Sequence, residues 1–339
     1  MSESKLLKQN KTGALPSGAQ ARRQFLRHVL ACVDASSFAD AVLAHAAAIA
    51  MAADARMTVM RVLEASAVQT PTDPVEWTLH HRDVQADLRE QALRFGDLKA
   101  DAVIVDGPAA ERICAWGQDH AVDLTVLGRG GESSGPFIGL GSTARRVAEG
   151  VNGSVLIVPS MQLGDAPIRY RRVLIPLDGS SRSECALPLG LGIAAVHGAE
   201  MMLVHAAPIV ELTEVGPLEA EAVNLRDQLR LRNERAAERY LRRVRSRLPP
   251  APATRMRVLP SGDPRHALAR AAVEEHADLM VLSCTGQSGH PDMSVGSVAD
   301  YLINHMNIPV LLVRGHGEGP PTVYEKSDEA GPCGRRAER

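Results

Sequence analysis

Short apolar runs alternate with longer helix-type segments along most of the chain. Residues 28–34 (HVLACVD) and 123–127 (DLTVL) are short and largely apolar, whereas residues 39–51 are rich in alanine, which favours a helix. Continuous apolar runs of this length are typical of strands that are buried on both faces, and their alternation with helices predicts a parallel sheet covered on both sides. The predicted fold class is therefore doubly wound α/β.

This pattern occurs twice. Asp34, which ends the first apolar run, aligns with Asp178 at an offset of 144 residues, whereas Gly107 aligns with Gly262 at an offset of 155. The second copy therefore contains 11 additional residues, and they fall in a charged segment, residues 218–248, whose apolar positions fit one face of an amphipathic helix. Since a single insertion aligns both copies from end to end, the sequence predicts two domains of the same fold in tandem.

The apolar pattern also sets the expected domain boundaries. The terminal segments are polar and lack apolar periodicity, so we expect a flexible arm and a disordered tail. The four predicted segments are the arm at 1–24, the first copy at 25–160, the second copy at 168–315 and the tail at 316–339.

Composition narrows the function classes. The net charge is −2 and aromatic residues make up 3% of the 339 positions, so neither a basic surface nor a base-stacking platform for nucleic acid is expected. The five cysteines form no C-x-x-C pair, the N-terminus has no apolar core of signal-peptide length, and no stretch approaches the length of a membrane span. These features favour a soluble, cytoplasmic protein that binds neither nucleic acid nor a membrane.

A glycine-rich loop joins an apolar run to a helix-type segment in the first copy. Gly128 ends the run, Gly131 follows after two residues, and Gly141 and Ser142 follow after nine more. Glycines let a backbone approach a ligand closely, and a helix N-terminus offers unpaired N–H groups and a positive dipole. The arrangement of strand, loop and helix start predicts an anion site.

The spacing G-x2-G-x9-G-[ST] after the fourth strand, with an aspartate ending the first strand, resembles the nucleotide-binding pattern of the universal stress protein family. The resemblance covers both copies. It implies a five-stranded parallel, Rossmann-like sheet in each copy, with ATP or another adenine nucleotide, alone or with Mg²⁺, lying across the carboxyl ends of the strands. It also implies that the last strands, residues 155–158 and 310–313, pair to form an internal pseudo-dimer, while association into a homodimer stays open.

The resemblance assigns roles to residues of the first copy. Asp34 and Val62 would line the adenosine end, and the glycines would admit ribose and phosphates. Ser142 and Thr143 would offer hydroxyl and N–H groups. The residues concerned are Asp34, Val62, Gly128, Gly131, Gly141, Ser142 and Thr143. From their position alone, Arg129 and the pair Arg145 and Arg146 are expected to neutralise phosphate charge. The structural alternative is that Asp34 caps the following helix and the glycines only shape a tight crossover.

The second copy departs from this pattern. It keeps Asp178, Gly286, Gly296 and Ser297, but Ser283 replaces the first glycine. Elsewhere in this copy Ala206 stands where the first has Val62, and Asp300 and Tyr301 replace the arginine pair. A side chain at position 283 would block close approach of a ligand if the backbone there needed a positive φ. The second site is therefore expected to bind more weakly or to stay empty.

The motifs favour binding over turnover. The chain has no G-x4-G-K-[ST] sequence, and no general base, nucleophile or metal cage accompanies the loop, so weak ATPase activity is the most we expect. A regulatory or protective nucleotide-binding protein of the stress response is the first hypothesis. A slow ATPase or phosphotransferase, and a scaffold of the same fold that binds no nucleotide, are the alternatives.

Overall fold

The computed structural model of the chain describes residues 25–64, 74–94, 98, 100–131, 139–160, 167–207, 220–260, 262–286 and 294–315. The predicted arm and tail lie outside these residues, as do the middle parts of both glycine-rich loops.

Strands and helices alternate through the first copy as the apolar pattern predicts. Its elements are β1 (His28–Cys32), α1 (Ala39–Ala53), β2 (Arg56–Leu63), α2 (Pro74–Leu93), β3 (Ala100–Asp106), α3 (Ala109–Asp119), β4 (Leu124–Gly128), α4 (Ser142–Gly150) and β5 (Ser154–Val158).

The second copy repeats this order with one addition, a single-turn helix after its first strand. Its elements are β6 (Arg172–Pro176), α5 (Ser181–Glu184), α6 (Ala186–His197), β7 (Glu200–Ala206), α7 (Ala220–Arg247), β8 (Thr254–Leu259), α8 (Pro264–Glu274), β9 (Leu279–Ser283), α9 (Ser297–His305) and β10 (Val310–Val313). The segment containing the insertion forms α7, which has 28 residues where its counterpart α2 has 20.

The ten strands of the described residues belong to one sheet in the order β3-β2-β1-β4-β5-β10-β9-β6-β7-β8. Within each copy neighbouring strands are parallel, whereas β5 and β10 pair antiparallel with Leu156 opposite Leu311. These two leucines are equivalent positions of the repeat, so the copies meet about a pseudo-twofold axis. The predicted pairing of the last strands across the copies is confirmed.

Helices cover both faces of the sheet. Val29 and Ala31 of β1 belong to the core under α1, α2, α6 and α7, while Leu30 and Cys32 belong to the core on the face of α3, α4, α8 and α9. Because successive residues of a strand point to opposite faces, a strand buried on both must be apolar throughout. The doubly wound α/β prediction is confirmed.

A second contact between the copies lies where α1 packs against α6. His45 of α1 is only 4% exposed, and its Nδ1 lies 2.9 Å from the hydroxyl of Tyr170 in the second copy. Among the residues that the structure describes, its Nε2 has no hydrogen-bond partner. Burial lowers the pKa of His45 to about 4, so the imidazole is neutral near pH 7.

Candidate nucleotide site

The carboxyl ends of three parallel strands form the edge at which the sequence places the site. β1 lies between β2 and β4, and all three run in the same direction. Asp34 follows β1, Val62 is the penultimate residue of β2 and Gly128 is the last residue of β4, and all three are half-buried. The structure therefore brings these three predicted residues to one edge of the sheet.

The loop backbone packs against the carboxylate of Asp34. A Cβ atom added to Gly131 would lie 2.8 Å from Asp34 Oδ2, closer than real Cβ contacts come. The other oxygen, Oδ1, accepts a hydrogen bond of 3.1 Å from the N–H of Ser36. The N-cap position of α1 is Phe38 and has no side-chain cap, so Asp34 is not the cap of this helix. Only glycine lets the backbone at position 131 come this close to Asp34.

The same contact occurs in the second copy. A Cβ atom added to Gly286 would collide with Asp178 Oδ2. Asp178 Oδ1 accepts hydrogen bonds from the N–H of Ser180 at 2.9 Å and from its hydroxyl at 2.6 Å. The aligned aspartate and glycine therefore form one structural unit in both copies.

The helix that follows the loop begins without a side-chain cap. Gly141 is the N-cap residue of α4, and its N–H donates to the carbonyl of Arg129 at 2.8 Å, which closes the base of the loop. Ser142 and Thr143 occupy the first two positions of the helix. By contrast, Asp263 caps α8 through its side chain. An uncapped first turn exposes N–H donors and the positive end of the dipole, which suits an anion.

Arg129 points away from this edge and towards the second copy. Its guanidinium donates to the carbonyl of Met306 at 2.8 Å and to that of Asn304 at 3.4 Å, both at the C-terminal end of α9. Partial burial lowers the pKa of Arg129 from its ordinary value without discharging it. The expectation that this side chain neutralises phosphate is not met by its position.

The two arginines at the start of α4 are also engaged by protein groups. Arg145 lies 2.8 Å from the carboxylate of Asp300, which is the equivalent residue of the second copy, and Arg146 lies 3.5 Å from that of Glu111. These carboxylates offset the unfavourable effect of two cations in the first turn of a helix. The sequence predicts that these two arginines neutralise phosphate charge, whereas in the structure both pair with carboxylates of the chain itself.

Ser283 does not distort the second loop. Its hydroxyl donates to the carbonyl of Thr285 at 2.8 Å, and its backbone does not have a positive φ. Gly128, the equivalent residue, does not have a positive φ either. The argument that a side chain here strains the backbone is therefore wrong. Gly296 is the N-cap of α9 and Ser297 its first residue, so the frame of the loop is the same in both copies.

Cys284 in the second loop is buried, and burial raises its pKa. The thiolate is therefore not stabilised, and the structure offers no support for an oxidant-sensing role.

A polar cleft of about 230 Å³ borders Asp34 on the side of α1 and α2. Its walls include Asp40, Arg61, Asp87 and Arg94, with Arg61 lying 3.7 Å from Asp87. Pockets that enclose a small molecule commonly have volumes of about 300 to 1,000 Å³. This cleft is smaller than such pockets.

Asn304 was not predicted from the sequence. Its Oδ1 accepts a hydrogen bond of 2.7 Å from the N–H of Leu140, beside the first-copy helix start. The two residues are 164 positions apart, and the first-copy residue aligned with Asn304 is Glu149, so neither spacing nor the repeat indicated this contact.

The fold and the loops define a class of protein, a tandem of two doubly wound α/β units that each carry a glycine-rich loop at the carboxyl edge of the sheet. The model of the universal stress protein family matches residues 26–159 and again residues 169–314. The chain belongs to the universal stress protein family.

The chain is also similar to individual relatives and solved structures, to different degrees. Universal stress protein Rv2005c of Mycobacterium tuberculosis is 25% identical over 297 residues, which cover 84% of this chain and 96% of the relative. The crystal structure of a universal stress protein from Archaeoglobus fulgidus superposes with a TM-score of 0.58 at 17% identity, covering 85% and 96% of the two chains. Another solved universal stress protein is a complex with cAMP, and it covers 39% of this chain at 22% identity with a TM-score of 0.32.

None of the helices in the part of the chain that the structure describes is both long and apolar enough to span a bilayer. In the same part of the chain, no group of three histidine, cysteine, aspartate or glutamate side chains is arranged to hold a metal ion.

Proposed function

We propose that the first copy binds an adenine nucleotide, with ATP as the first candidate, at the edge formed by Asp34, Val62 and the loop that leads to Ser142. The observation that carries this proposal is the packing of the Gly131 backbone against the Asp34 carboxylate. In the proposal, this carboxylate accepts from the N–H or O–H groups of adenosine, beside a backbone at position 131 that has no room for a side chain. The protein would act as a regulatory or protective binder in the stress response.

The backbone, not the arginines, supplies the phosphate donors in this proposal. α4 begins at the end of the loop without a side-chain cap, so the N–H groups of its first turn and the hydroxyl groups of Ser142 and Thr143 are placed to receive phosphate oxygens. Val62 provides an apolar wall for the base. Mg²⁺, where present, would be carried by the phosphates of the nucleotide.

We further propose that the two copies are two domains with the boundaries 25–160 and 168–315, and that the second site is the weaker one. The second copy shares the Asp178–Gly286 unit and the uncapped helix start at Gly296. What distinguishes it is the first turn of α9, which carries the acidic Asp300 where α4 carries the basic Arg145.

Calorimetric titration of the full chain with ATP tests the proposal. The wild type should bind one ATP tightly per chain, and Gly131→Ala should lower its affinity by about tenfold or more, since the added methyl group forces Asp34 away from the loop. Gly286→Ala introduces the same methyl group at the equivalent position of the second copy and should leave the tight site unchanged.

Absence of ATP binding at millimolar concentration would overturn the proposal, and two equal sites per chain would overturn the proposed asymmetry. Release of inorganic phosphate, followed in the same samples, distinguishes a binder from a slow ATPase. A rate of phosphate release that is higher than the rate without protein, and that falls to that rate in Gly131→Ala, would favour the hypothesis of a slow ATPase.

A further inference from the structure

The two ends of the first-copy loop are attached to one helix end in the second copy. At the far end, Leu140 N–H donates to Asn304 Oδ1 at 2.7 Å. At the near end, the Arg129 guanidinium donates to the carbonyl of Met306 at 2.8 Å. Asn304 is itself held by its amide, since Nδ2 donates to the carbonyl of Asp300 at 2.6 Å. The C-terminal turn of α9 therefore acts as the base on which both ends of the loop rest.

Asn304 lies close enough to Gly139 and Leu140 to hold their backbone in place. A Cβ atom added to Gly139 would collide with Asn304 Oδ1, so the loop backbone lies directly on the amide. Two residues later, Gly141 begins α4 and is tied to the carbonyl of Arg129. Asn304 thus determines where the backbone lies immediately before the helix start that would receive phosphate.

The repeat supplies an internal comparison. The residues aligned with Asn304 and Arg129 are Glu149 and Cys284, and neither reproduces the attachment. Glu149 is exposed, and no hydrogen bond joins its side chain to the second loop among the residues that the structure describes. Arg314 donates instead to the carbonyls of Ala148 and Glu149 at the end of α4. Among the described residues, the side-chain contact of Asn304 therefore has no counterpart at the second loop.

We infer that Asn304 of the second copy is a positioning residue for the nucleotide site of the first copy. It holds the backbone at residues 139–141 so that the first turn of α4 faces the phosphates. The first site is consequently incomplete without the second copy. This inference rests on the proposed function.

Two readouts on the full chain test it. Hydrogen exchange resolved at the Leu140 amide reports the attachment without nucleotide, and calorimetry compares ATP with adenosine. Asn304→Ala should raise the exchange rate of the Leu140 amide about tenfold. It should also lower the affinity for ATP about tenfold and leave the affinity for adenosine unchanged, because only the phosphates contact the displaced start of α4. A general loss of structure would lower the affinities for both ATP and adenosine.

Three variants complete the design. Asn304→Asp keeps an oxygen that accepts from Leu140 but replaces the amide that donates to Asp300 with a carboxylate, so exchange at the Leu140 amide should lie between that of the wild type and that of Asn304→Ala. Glu149→Ala, the change at the aligned position of the first copy, should alter neither readout. Asn304→Ser, whose side chain is too short to reach Leu140, replaces the alanine variant if that protein does not fold.

The outcomes separate this inference from the proposed function. If the wild type binds no ATP, the proposed function fails together with the positioning role, whereas the exchange measurement still decides whether the attachment exists. If the wild type binds ATP but Asn304→Ala leaves ATP affinity unchanged, or weakens ATP and adenosine equally, the positioning role is wrong and the binding site stands.

Discussion

Acidification should destabilise the contact between the two copies through His45. The imidazole is buried between α1 and α6, and burial lowers its pKa from 6.5 to about 4. Because the folded-state pKa lies below that of the unfolded chain, the unfolded chain binds more protons between these values. The free energy of unfolding therefore falls as the pH drops through this window and is not affected by His45 above it.

The magnitude follows from the size of the pKa shift. Each pKa unit corresponds to about 1.4 kcal/mol. Relative to neutral pH, the protonation of His45 should therefore lower the free energy of unfolding by about 2 kcal/mol near pH 5 and about 3 kcal/mol near pH 4. These values are a large fraction of the stability of an ordinary domain, about 5 to 15 kcal/mol.

Urea unfolding followed by circular dichroism near pH 7, 6 and 5 measures this effect. His45→Asn keeps a hydrogen-bonding group near the Tyr170 hydroxyl but does not titrate, so this variant should lose about 2 kcal/mol less than the wild type between pH 7 and pH 5. His80→Asn, at an exposed histidine, should keep the pH dependence of the wild type. If the His45 and His80 variants show the same pH dependence, the argument from burial is refuted.

Three further predictions follow from single contacts. Gly190→Ala should lower the free energy of unfolding by about 1 to 2 kcal/mol, since its Cβ would lie 2.5 Å from a buried isoleucine side chain, whereas Gly117→Ala in an open helix position should raise it by up to about 1 kcal/mol. Both are measured by urea unfolding. Reversing the ion pair, Arg145→Asp with Asp300→Arg, should restore most of the stability that either single change removes, at most about 1 kcal/mol for an exposed pair. Cys284 should react with iodoacetamide about tenfold more slowly in the folded chain than in urea, as followed by mass spectrometry.

The elements of the fold could be predicted because their signals are local. The apolar run of β1 and the alanine-rich α1 each indicate their own structure, and the repeat then fixed the order of the second copy. The pairing of β5 with β10 was predicted from the family resemblance, since the sequence of either strand alone does not indicate which strand it pairs with.

The site was predictable to the level of the backbone and not to that of the long side chains. Asp34 and Gly131 meet because parallel neighbouring strands end at one edge, which the strand order implies. The direction of the Arg129 guanidinium depends on carbonyls of α9 that are far away in sequence and come near only when the copies associate. Asn304 was missed for the same reason.

The pair of Arg145 and Asp300 illustrates what joining two copies in one chain permits. In an assembly of identical subunits, a residue beside the symmetry axis faces itself, so an arginine there would repel its own image. Here the two aligned positions belong to one polypeptide and have diverged to opposite charges that lie 2.8 Å apart. The pair therefore favours association of a first copy with a second copy, whereas two first copies would meet with like charges opposed.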